Sequence, residues 1–231
     1  MRIRNLILPV AASAALLAGC ATQTPSSQPT TPAPAYNGVQ DLDADAIWQA
    51  AADALADAQS FHLKGSAKTD AGQSVEIDAV YAGDLAEGSY TLSGLELEFI
   101  IAEDGGYVRA AENFWREMLP ADQADLLIPL LGNRYLKLPS STASELILEP
   151  ETFFPEAKGL NKGDITEYQG QPAIVLTDDA GGKIYIALVG EPYPLALTSS
   201  EGNLEFLDVD AAVTIEAPPA DQVFDATAFT G

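Results

Sequence analysis

The sequence has one histidine, one cysteine and few basic residues, 11 lysines and arginines against 34 aspartates and glutamates. A protein zinc site is built from several cysteine and histidine ligands, so no adequate set is present. A nucleic-acid interface needs a lysine and arginine footprint, which a net charge of −23 does not supply. The same charge disfavours electrostatic attachment to anionic lipid head groups. Any recognition of lipid therefore has to come from apolar burial.

The signatures of common catalytic sites are also missing. A Ser/His/Asp triad would need His62, which the local pattern places on the wet face of a strand. No Gly-x-Ser-x-Gly elbow occurs, and Lys183 follows two glycines without the first glycine or the Ser/Thr of a phosphate-binding loop. Glu96 and Glu98 alternate like a solvated strand face, although a carboxylate pair for hydrolysis stays an alternative. We predict that the protein is not an enzyme and has no catalytic residues, cofactor or metal.

Asp41, Asp43 and Asp45 have the spacing that opens a calcium-binding loop. Such a loop needs glycine at its sixth position and glutamate at its twelfth, where this chain has Ala46 and Ala52. Acidic residues also favour the positive end of a helix dipole. The three aspartates therefore predict the beginning of a helix.

The amino terminus has the features of a secretory signal. Arg2 and Arg4 precede an apolar run over residues 6–18, which is too short for a comfortable membrane span. The run ends in Leu17-Ala18-Gly19-Cys20, which resembles the bacterial lipobox. That resemblance implies cleavage of residues 1–19 and a diacylglyceryl group on Cys20, the lipidation site. The alternative is an ordinary secretory signal with an incidental cysteine.

Residues 21–40 are rich in Thr, Gln, Pro and Ser and cannot bury a core. We therefore predict that residues 20–40 contain the lipidated cysteine and an extended tether, and that residues 41–231 form one domain. Such a tether spans on the order of 60 Å when extended. No later run approaches the 18 apolar residues of a membrane-spanning helix. The predicted location is the extracytoplasmic side of the cell membrane, through the lipid anchor.

The first half of the domain predicts a helix followed by strands. One helical face is apolar, with Ile47, Trp48, Ala51, Leu55 and Ala58. The period then changes to two over residues 61–67, 75–81 and 95–101, which is typical of strands with one apolar face. Glycine-containing turns separate these strands at hairpin spacing, which predicts an antiparallel meander.

The second half predicts helices and then more strands. Pro120 opens a helix with Leu126, Leu127, Leu130 and Leu131, which we expect Pro129 to interrupt. A short helix is predicted over residues 141–148. Strands are predicted from Ile165 onwards and at residues 173–177, 184–189, 195–198, 204–208 and 213–216. The sum is an α+β domain with one large curved antiparallel sheet and helices on one face.

The order and spacing of several segments resemble the actinobacterial LppX/LprA/LprF/LprG lipoproteins, whose fold is LolA-like. The segments are the lipobox, Ser60-Phe61-His62-Leu63, Tyr135-Leu136-Lys137-Leu138-Pro139, Gly170-Gln171-Pro172-Ala173, Gly182-Lys183-Ile184-Tyr185-Ile186, Glu191-Pro192-Tyr193-Pro194-Leu195 and the stretch at residues 218–223. The resemblance implies a half-barrel sheet whose concave face is covered by helices over an apolar cavity. It also implies a lipid or glycolipid ligand, carried or presented across the envelope, in some relatives beside a membrane transporter.

The apolar strand face supplies the expected lining of such a cavity. The candidate ligand-binding residues are Ile77, Ala79, Tyr81, Leu95, Leu97, Phe99 and Ile101, with Leu126, Leu127 and Leu130 as a lid. The small side chains at Gly65, Ala67 and Ala79 are those that a cavity would need. Arg109, Arg116, Arg134 and Lys137 are candidates for a basic mouth. The alternative for each apolar residue is ordinary core.

Two binding functions follow as hypotheses. The first is an envelope lipoprotein that holds the acyl chains of a lipid or lipoglycan for transport or presentation. The second is a non-carrier sensor or docking module that uses the same fold to bind a membrane partner. An envelope hydrolase is the third, and would need a cleft with a perturbed pair of acids.

Overall fold

The computed structural model describes residues 35–68, 72–139, 142 and 159–225, and within these it has twelve strands, three α-helices and two short 3-10 helices. The helices are α1 (Ala44–Asp57), α2 (Glu112–Met118) and α3 (Ala121–Leu131). The strands of the first half are β1 (Phe61–Lys68), β2 (Ser74–Ala82), β3 (Leu85–Leu92), β4 (Leu95–Ala102), β5 (Gly105–Ala110) and β6 (Tyr135–Leu138). Those of the second half are β7 (Asn161–Tyr168), β8 (Gln171–Thr177), β9 (Lys183–Ala187), β10 (Pro194–Ser199), β11 (Gly202–Leu207) and β12 (Val223–Asp225).

The strands form one sheet in the order β12-β6-β5-β4-β3-β2-β1-β11-β10-β9-β8-β7. Neighbouring strands are antiparallel except β12 and β6, which are parallel. The first meander, β1 to β5, therefore joins the second, β7 to β11, through the pairing of β1 with β11. The sheet is curved and unclosed, and its helices lie on one face. The predicted fold class is confirmed.

The register places the apolar residues of neighbouring strands in rows on one face. One row across the first meander consists of Leu63, Ala79, Gly88, Phe99, Val108 and Leu136. The row continues into the second meander, because Leu63 pairs with Phe206. We call this side of the sheet the apolar face. The opposite side has His62, Lys64 and Asp78, and we call it the polar face.

Gly65 lies where β1 and β11 approach each other closely. Its φ of +153° is one that L side chains rarely adopt, and a Cβ there would lie 2.0 Å from the carbonyl oxygen of Asn203. Glycine inside a strand marks bends and close backbone approaches. Irregular pairing between Pro194 and Ala196 bends the sheet further. Gly65 is therefore required by the backbone geometry of the central strand pair.

Helix α1 begins as the sequence predicts. Asp43 is its N-cap, and the Asp43 Oδ1 atom accepts a hydrogen bond of 2.9 Å from the Ala46 N–H. This bond satisfies one of the amide groups that the first helical turn leaves without a partner. The buried residues of α1 are Ile47, Trp48, Ala51 and Leu55. Helix capping is confirmed for Asp43, and Asp45 lies in the first turn, whereas Asp41 belongs to a short 3-10 helix before α1.

Helix α3 contains Pro129 and continues to Leu131, so the predicted interruption is wrong. Proline removes one backbone hydrogen bond, and the Gly132 N–H still bonds to the Ile128 carbonyl at 3.1 Å. The inner face of α3 is formed by side chains at positions i, i+3, i+4 and i+7, namely Ala124, Leu127, Ile128 and Leu131. The helix thus keeps one continuous face against the sheet.

Two separate hydrophobic clusters cover the apolar face. Cluster 1 lies under α2, α3 and the end of α1, to which its member Leu55 belongs, and contains buried residues of β1 to β5, such as Leu63 and Phe99. Cluster 2 lies under α1 and contains buried residues of β8 and β9, such as Ile174 and Ile186. Leu197 of β10 packs against both clusters. The boundary between them lies at β10, because Phe206 of β11 belongs to cluster 1.

Other differences from the sequence-based expectations lie at the ends of the pattern. The predicted strand at residues 213–216 is not formed, and residues 211–219 lie in irregular structure that includes Pro218 and Pro219, which cannot donate ladder hydrogen bonds. The strand predicted at residues 184–189 ends at Ala187. The helix predicted over residues 141–148 lies, except for Thr142, outside the described residues.

Candidate functional site

Most of the strand residues predicted to line a cavity belong to a packed cluster. Ile77, Ala79, Tyr81, Phe99 and Ile101 are between 1% and 6% exposed and all belong to cluster 1. Leu95 and Leu97 are half-buried at the edge of the same cluster. The structure thus brings all seven residues to one face, and places five of them among other side chains.

Cluster 1 contains a pair of tyrosine hydroxyls. The Tyr81 and Tyr90 hydroxyl oxygens are 3.0 Å apart. Tyr81 stacks on Phe61 with ring centroids 4.9 Å apart, and Tyr90 stacks on Phe99 at 4.8 Å. Burial raises the pKa of both hydroxyls, and the neighbouring Tyr90 raises the pKa of Tyr81 further. Both therefore remain neutral hydrogen-bonding groups at physiological pH.

The three leucines predicted as a lid do not share one face of α3. Leu127 is half-buried and packs against cluster 1, whereas Leu126 is 72% exposed and Leu130 is 53% exposed. The buried face of α3 is instead the i, i+3, i+4, i+7 set that begins at Ala124. It was not predicted because an interruption was expected at Pro129, and the same periodicity read over a continuous helix indicates it.

Two of the three small residues expected at a cavity, Gly65 and Ala79, are explained by close packing within the sheet. Gly65 is required by the close approach of β11. Ala79 is 1% exposed, and its Cβ lies only 2.6 Å from where a Cβ on Gly88 would be. Ala79 thus fills the space over a glycine of the neighbouring strand. Gly65 and Ala79 serve close packing within the sheet, whereas Ala67 lies at an opening.

That opening lies at the boundary between the two clusters. It is a pocket of about 520 Å³, which is within the usual range for small-molecule sites. Its apolar lining consists of Ala67, Leu160, Ala180, Ile184, Leu197 and Leu204. We call this pocket the seam opening. Leu204 belongs to the edge of cluster 1, whereas Leu160 belongs to the edge of cluster 2.

The rim of the seam opening is polar and charged. Lys68, at the end of β1, and Lys183, at the beginning of β9, both line it. Asp178 and Glu201, from the two turns beside them, line it as well. The sequence reasoning missed this site, although Leu197 and Leu204 alternate in the second meander as the lining candidates do in the first. The pairing of β1 with β11 was the missing information.

The four cations expected at a basic mouth are engaged elsewhere by local partners. Arg109 bonds to Glu98 and lies 4.4 Å from the centre of the Tyr135 ring. Lys137 lies 3.6 Å from Asp104. Arg116 bridges carboxylates of α2 and α3, and Arg134 donates to backbone carbonyls at the end of α3.

The single histidine lies in a network of charged groups on the polar face. Its Nε2 atom is 2.7 Å from Asp78, and its Nδ1 atom is 3.8 Å from Asp208. The Lys64 ammonium group also donates to Asp78, at 2.6 Å. Both ring nitrogens of His62 thus face carboxylates. Within the described ranges, no three metal-ligating side chains come together in a group that could hold an ion.

The Asp78 network predicts a measurable acid sensitivity. Hydrogen bonds from Lys64 and then His62 lower the pKa of Asp78 below its ordinary value, against the effect of burial. A carboxyl whose pKa is lowered by folding stabilises the protein above its unfolded pKa, and this contribution is lost as the pH falls through the folded pKa. We expect Asp78→Asn to lose less stability than the original protein between about pH 5 and pH 2, measured as the urea midpoint.

Glu76→Gln is the matched control, because Glu76 is an exposed acid of the same strand. It removes an equal charge and leaves the Asp78 contacts in place. Equal acid sensitivity of Asp78→Asn and the original protein would show that the network adds nothing to stability.

Comparison with known proteins supports the fold and no more detailed assignment. No protein-family model and no curated protein matches the sequence. The structure is similar to the crystal structure of LprF from Mycobacterium bovis, with a TM-score of 0.52 and 13% identity over 81% of this chain and all of LprF. The chain has the LprF fold. The LolA-like architecture expected from the resemblance is thereby confirmed at the level of fold.

Two further similarities are too distant to support an argument. An uncharacterized conserved protein from Thermus thermophilus matches with a TM-score of 0.36 and 11% identity, over 78% of this chain and 96% of that protein. MucB, in its complex with MucA from Pseudomonas aeruginosa, matches with a TM-score of 0.32 and 14% identity. That match covers 80% of this chain and 59% of MucB.

None of the described helices has the length and apolar character needed to cross a membrane.

Proposed function

We propose that this protein is an envelope lipoprotein that binds the acyl chains of a lipid and presents or transports them outside the cell membrane. The observation that carries the proposal is the seam opening. It is an apolar pocket at the boundary between two clusters that do not merge on one sheet face. Acyl chains gain about 25 cal/mol for each Å² of apolar surface that they bury there.

The predicted lining residues would contribute to the binding site in different ways. Leu95 and Leu97 are half-buried and can extend an apolar path from the seam opening along the first meander. Ile77 can form the floor of that path, because it lies in the same row of the register as Leu97. Ala79, Tyr81, Phe99 and Ile101 lie further along the strands, in the packed part of cluster 1, against which Leu127 packs from α3. The exposed Leu126 and Leu130 do not belong to this lining.

The anchor completes the proposal. Lipidation of Cys20 would attach two acyl chains, enough to hold the protein stably at the membrane. The residues before Asn37 would then tether the domain at a distance from the bilayer. The tether expected up to residue 40 is shorter at this end, because the Asn37 N–H bonds to the Leu188 carbonyl and Val39 is buried in cluster 2. The domain would have no catalytic residue, cofactor or metal, since binding needs only apolar surface and shape. A membrane transporter is the proposed class of partner, with the domain delivering lipid to it or receiving lipid from it.

Extraction of bound lipid tests the proposal. We expect protein purified by affinity from its membrane fraction to contain non-covalently bound acyl lipid in addition to its own covalent anchor, as detected by native mass spectrometry. After mild delipidation it should rebind an acyl probe. Ala67→Trp should reduce rebinding of fluorescent fatty acid severalfold, because the indole ring would occupy the seam opening. Ala56→Trp, on an exposed face of α1, is the matched control.

An original protein that rebinds no acyl probe, or an Ala67→Trp variant that rebinds it as well as Ala56→Trp does, would contradict the proposed site. Thermal unfolding of both variants would show whether either substitution has disturbed the fold.

A docking module is the second candidate, and one observation favours it. Met118, Leu126 and Leu130 are each more than half exposed on the α2–α3 pair. Exposed apolar side chains on neighbouring helices are typical of protein interaction surfaces. A protein that binds no acyl probe yet retains a specific membrane partner would favour this function over lipid carriage.

A further inference from the structure

The basic residues of this acidic protein are almost all engaged by groups within the chain. The described ranges contain eight lysines and arginines. Six have a described polar partner, namely Lys64, Arg109, Arg116, Arg134, Lys137 and Lys162. Among the described residues, no ion pair or hydrogen-bond partner is found for the side chains of Lys68 and Lys183.

The two remaining lysines lie at the same place. Both line the seam opening, although they belong to different meanders. Lys183 pairs across the ladder with Thr198 of β10, and Lys68 is the last residue of β1, two strands further along the sheet. By strand alternation Lys68 and Lys183 lie on the polar side of the sheet, opposite their neighbours Ala67 and Ile184. Each stands at the end of a strand, so its side chain reaches the rim of the opening around the end of the sheet.

The acids at the rim leave the lysines available. The Asp178 Oδ1 atom accepts a hydrogen bond of 2.7 Å from the Gly182 N–H, so this carboxylate is held within its own turn. Glu201 lies in the turn between β10 and β11 and is exposed. Neither acid forms a described ion pair with Lys68 or Lys183, in a chain where acids outnumber bases 34 to 11.

We propose that the seam opening binds an amphiphile with an anionic head group, whose charge is held by Lys68 and Lys183 while its acyl chain enters the pocket. This inference rests on the proposed function and names the chemistry of its ligand. The strongly acidic surface elsewhere repels an anionic head group, so the two lysines also determine the orientation in which the molecule enters. A carboxylate or a phosphate head group supplies the negative charge.

The test compares amphiphiles of one chain length that differ in the head group. Dodecyl phosphate and dodecanoate are the anionic probes, and dodecyl maltoside is the neutral probe, each titrated calorimetrically below its micelle concentration at low salt. Lys68→Ser/Lys183→Ser should weaken binding of the anionic probes by about tenfold, as expected for two partly exposed charge pairs. Binding of dodecyl maltoside should not change.

Lys137→Ser is the matched control, since it removes an equal charge at β6 and away from the pocket. Binding of dodecyl phosphate alone would assign a phosphate head group, whereas stronger binding of dodecanoate would assign a carboxylate. Inorganic phosphate should bind weakly, because it has no acyl chain to bury.

Two results would overturn the inference and are distinguishable from each other. If all three amphiphiles bind equally and the double variant changes nothing, the head-group site is wrong and the acyl pocket remains. If no amphiphile binds, the proposed function itself fails, and the head-group site fails with it.

Discussion

Gly65→Ala is expected to destabilise the protein by on the order of 3 kcal/mol, which is large for a single added methyl group. The new Cβ would lie 2.0 Å from the Asn203 carbonyl oxygen, which belongs to the backbone and cannot move aside alone. The strands β1 and β11 would have to separate, and these two strands join the two meanders. Urea denaturation followed by the fluorescence of Trp48 and Trp115 measures the change.

Gly83→Ala is the matched control for that measurement. Gly83 also has a positive φ, +58°, but nothing lies within 4 Å of the position of its missing Cβ. The control therefore includes only the cost of a left-handed conformation, about 1 kcal/mol. Equal losses in the two variants would mean that the close approach of β11 contributes nothing to the requirement for glycine at Gly65.

Cys20→Ala is expected to release nearly all of the protein from the membrane fraction. The thiol is the proposed attachment point of two acyl chains, each methylene of which contributes about 0.8 kcal/mol when buried in the bilayer. Without the thiol, the remaining chain has no group to which a diacylglyceryl anchor could be joined, because Cys20 is the only cysteine. Membrane fractionation and the intact mass of the purified protein measure the effect.

Thr22→Ala, two residues further along the tether, is the matched control and should leave the protein in the membrane fraction. Retention of Cys20→Ala at the membrane would contradict anchoring through the thiol. It would instead direct attention to the exposed Met118, Leu126 and Leu130 as a second means of attachment.

The strands that the sequence predicts best are those with one wet face and one apolar face. Strands β1, β2 and β4 alternate in this way, and each lies where the pattern indicates. Strand β3 (Leu85–Leu92) has the sequence LAEGSYTL, in which small and polar residues interrupt the alternation. Its neighbours on both sides supply the ladder hydrogen bonds, so tertiary pairing forms a strand that local pattern does not predict.

The sequence predicts on which face of the sheet the candidate residues lie, but not how deeply they are buried. Alternation assigns Ile77 and Phe99 to the apolar side of the sheet, where both lie. Whether such residues line a cavity or fill a core depends on which side chains from distant strands reach them, and Tyr90 reaches Phe99 from a strand that the pattern missed. The seam opening was not predicted, because its lining residues come from both meanders.

The sequence by itself determined the scarcity of basic and metal-ligating side chains, the expected lipid anchor at Cys20 and the α+β pattern, because composition and local periodicity require no knowledge of long-range contacts. The tertiary structure alone decided that two apolar clusters meet without merging and that Lys68 and Lys183 share one rim. Both results depend on the pairing of β1 with β11. That pairing joins segments far apart in the chain, and hydrophobic period specifies the face of a strand but not the strand beside it.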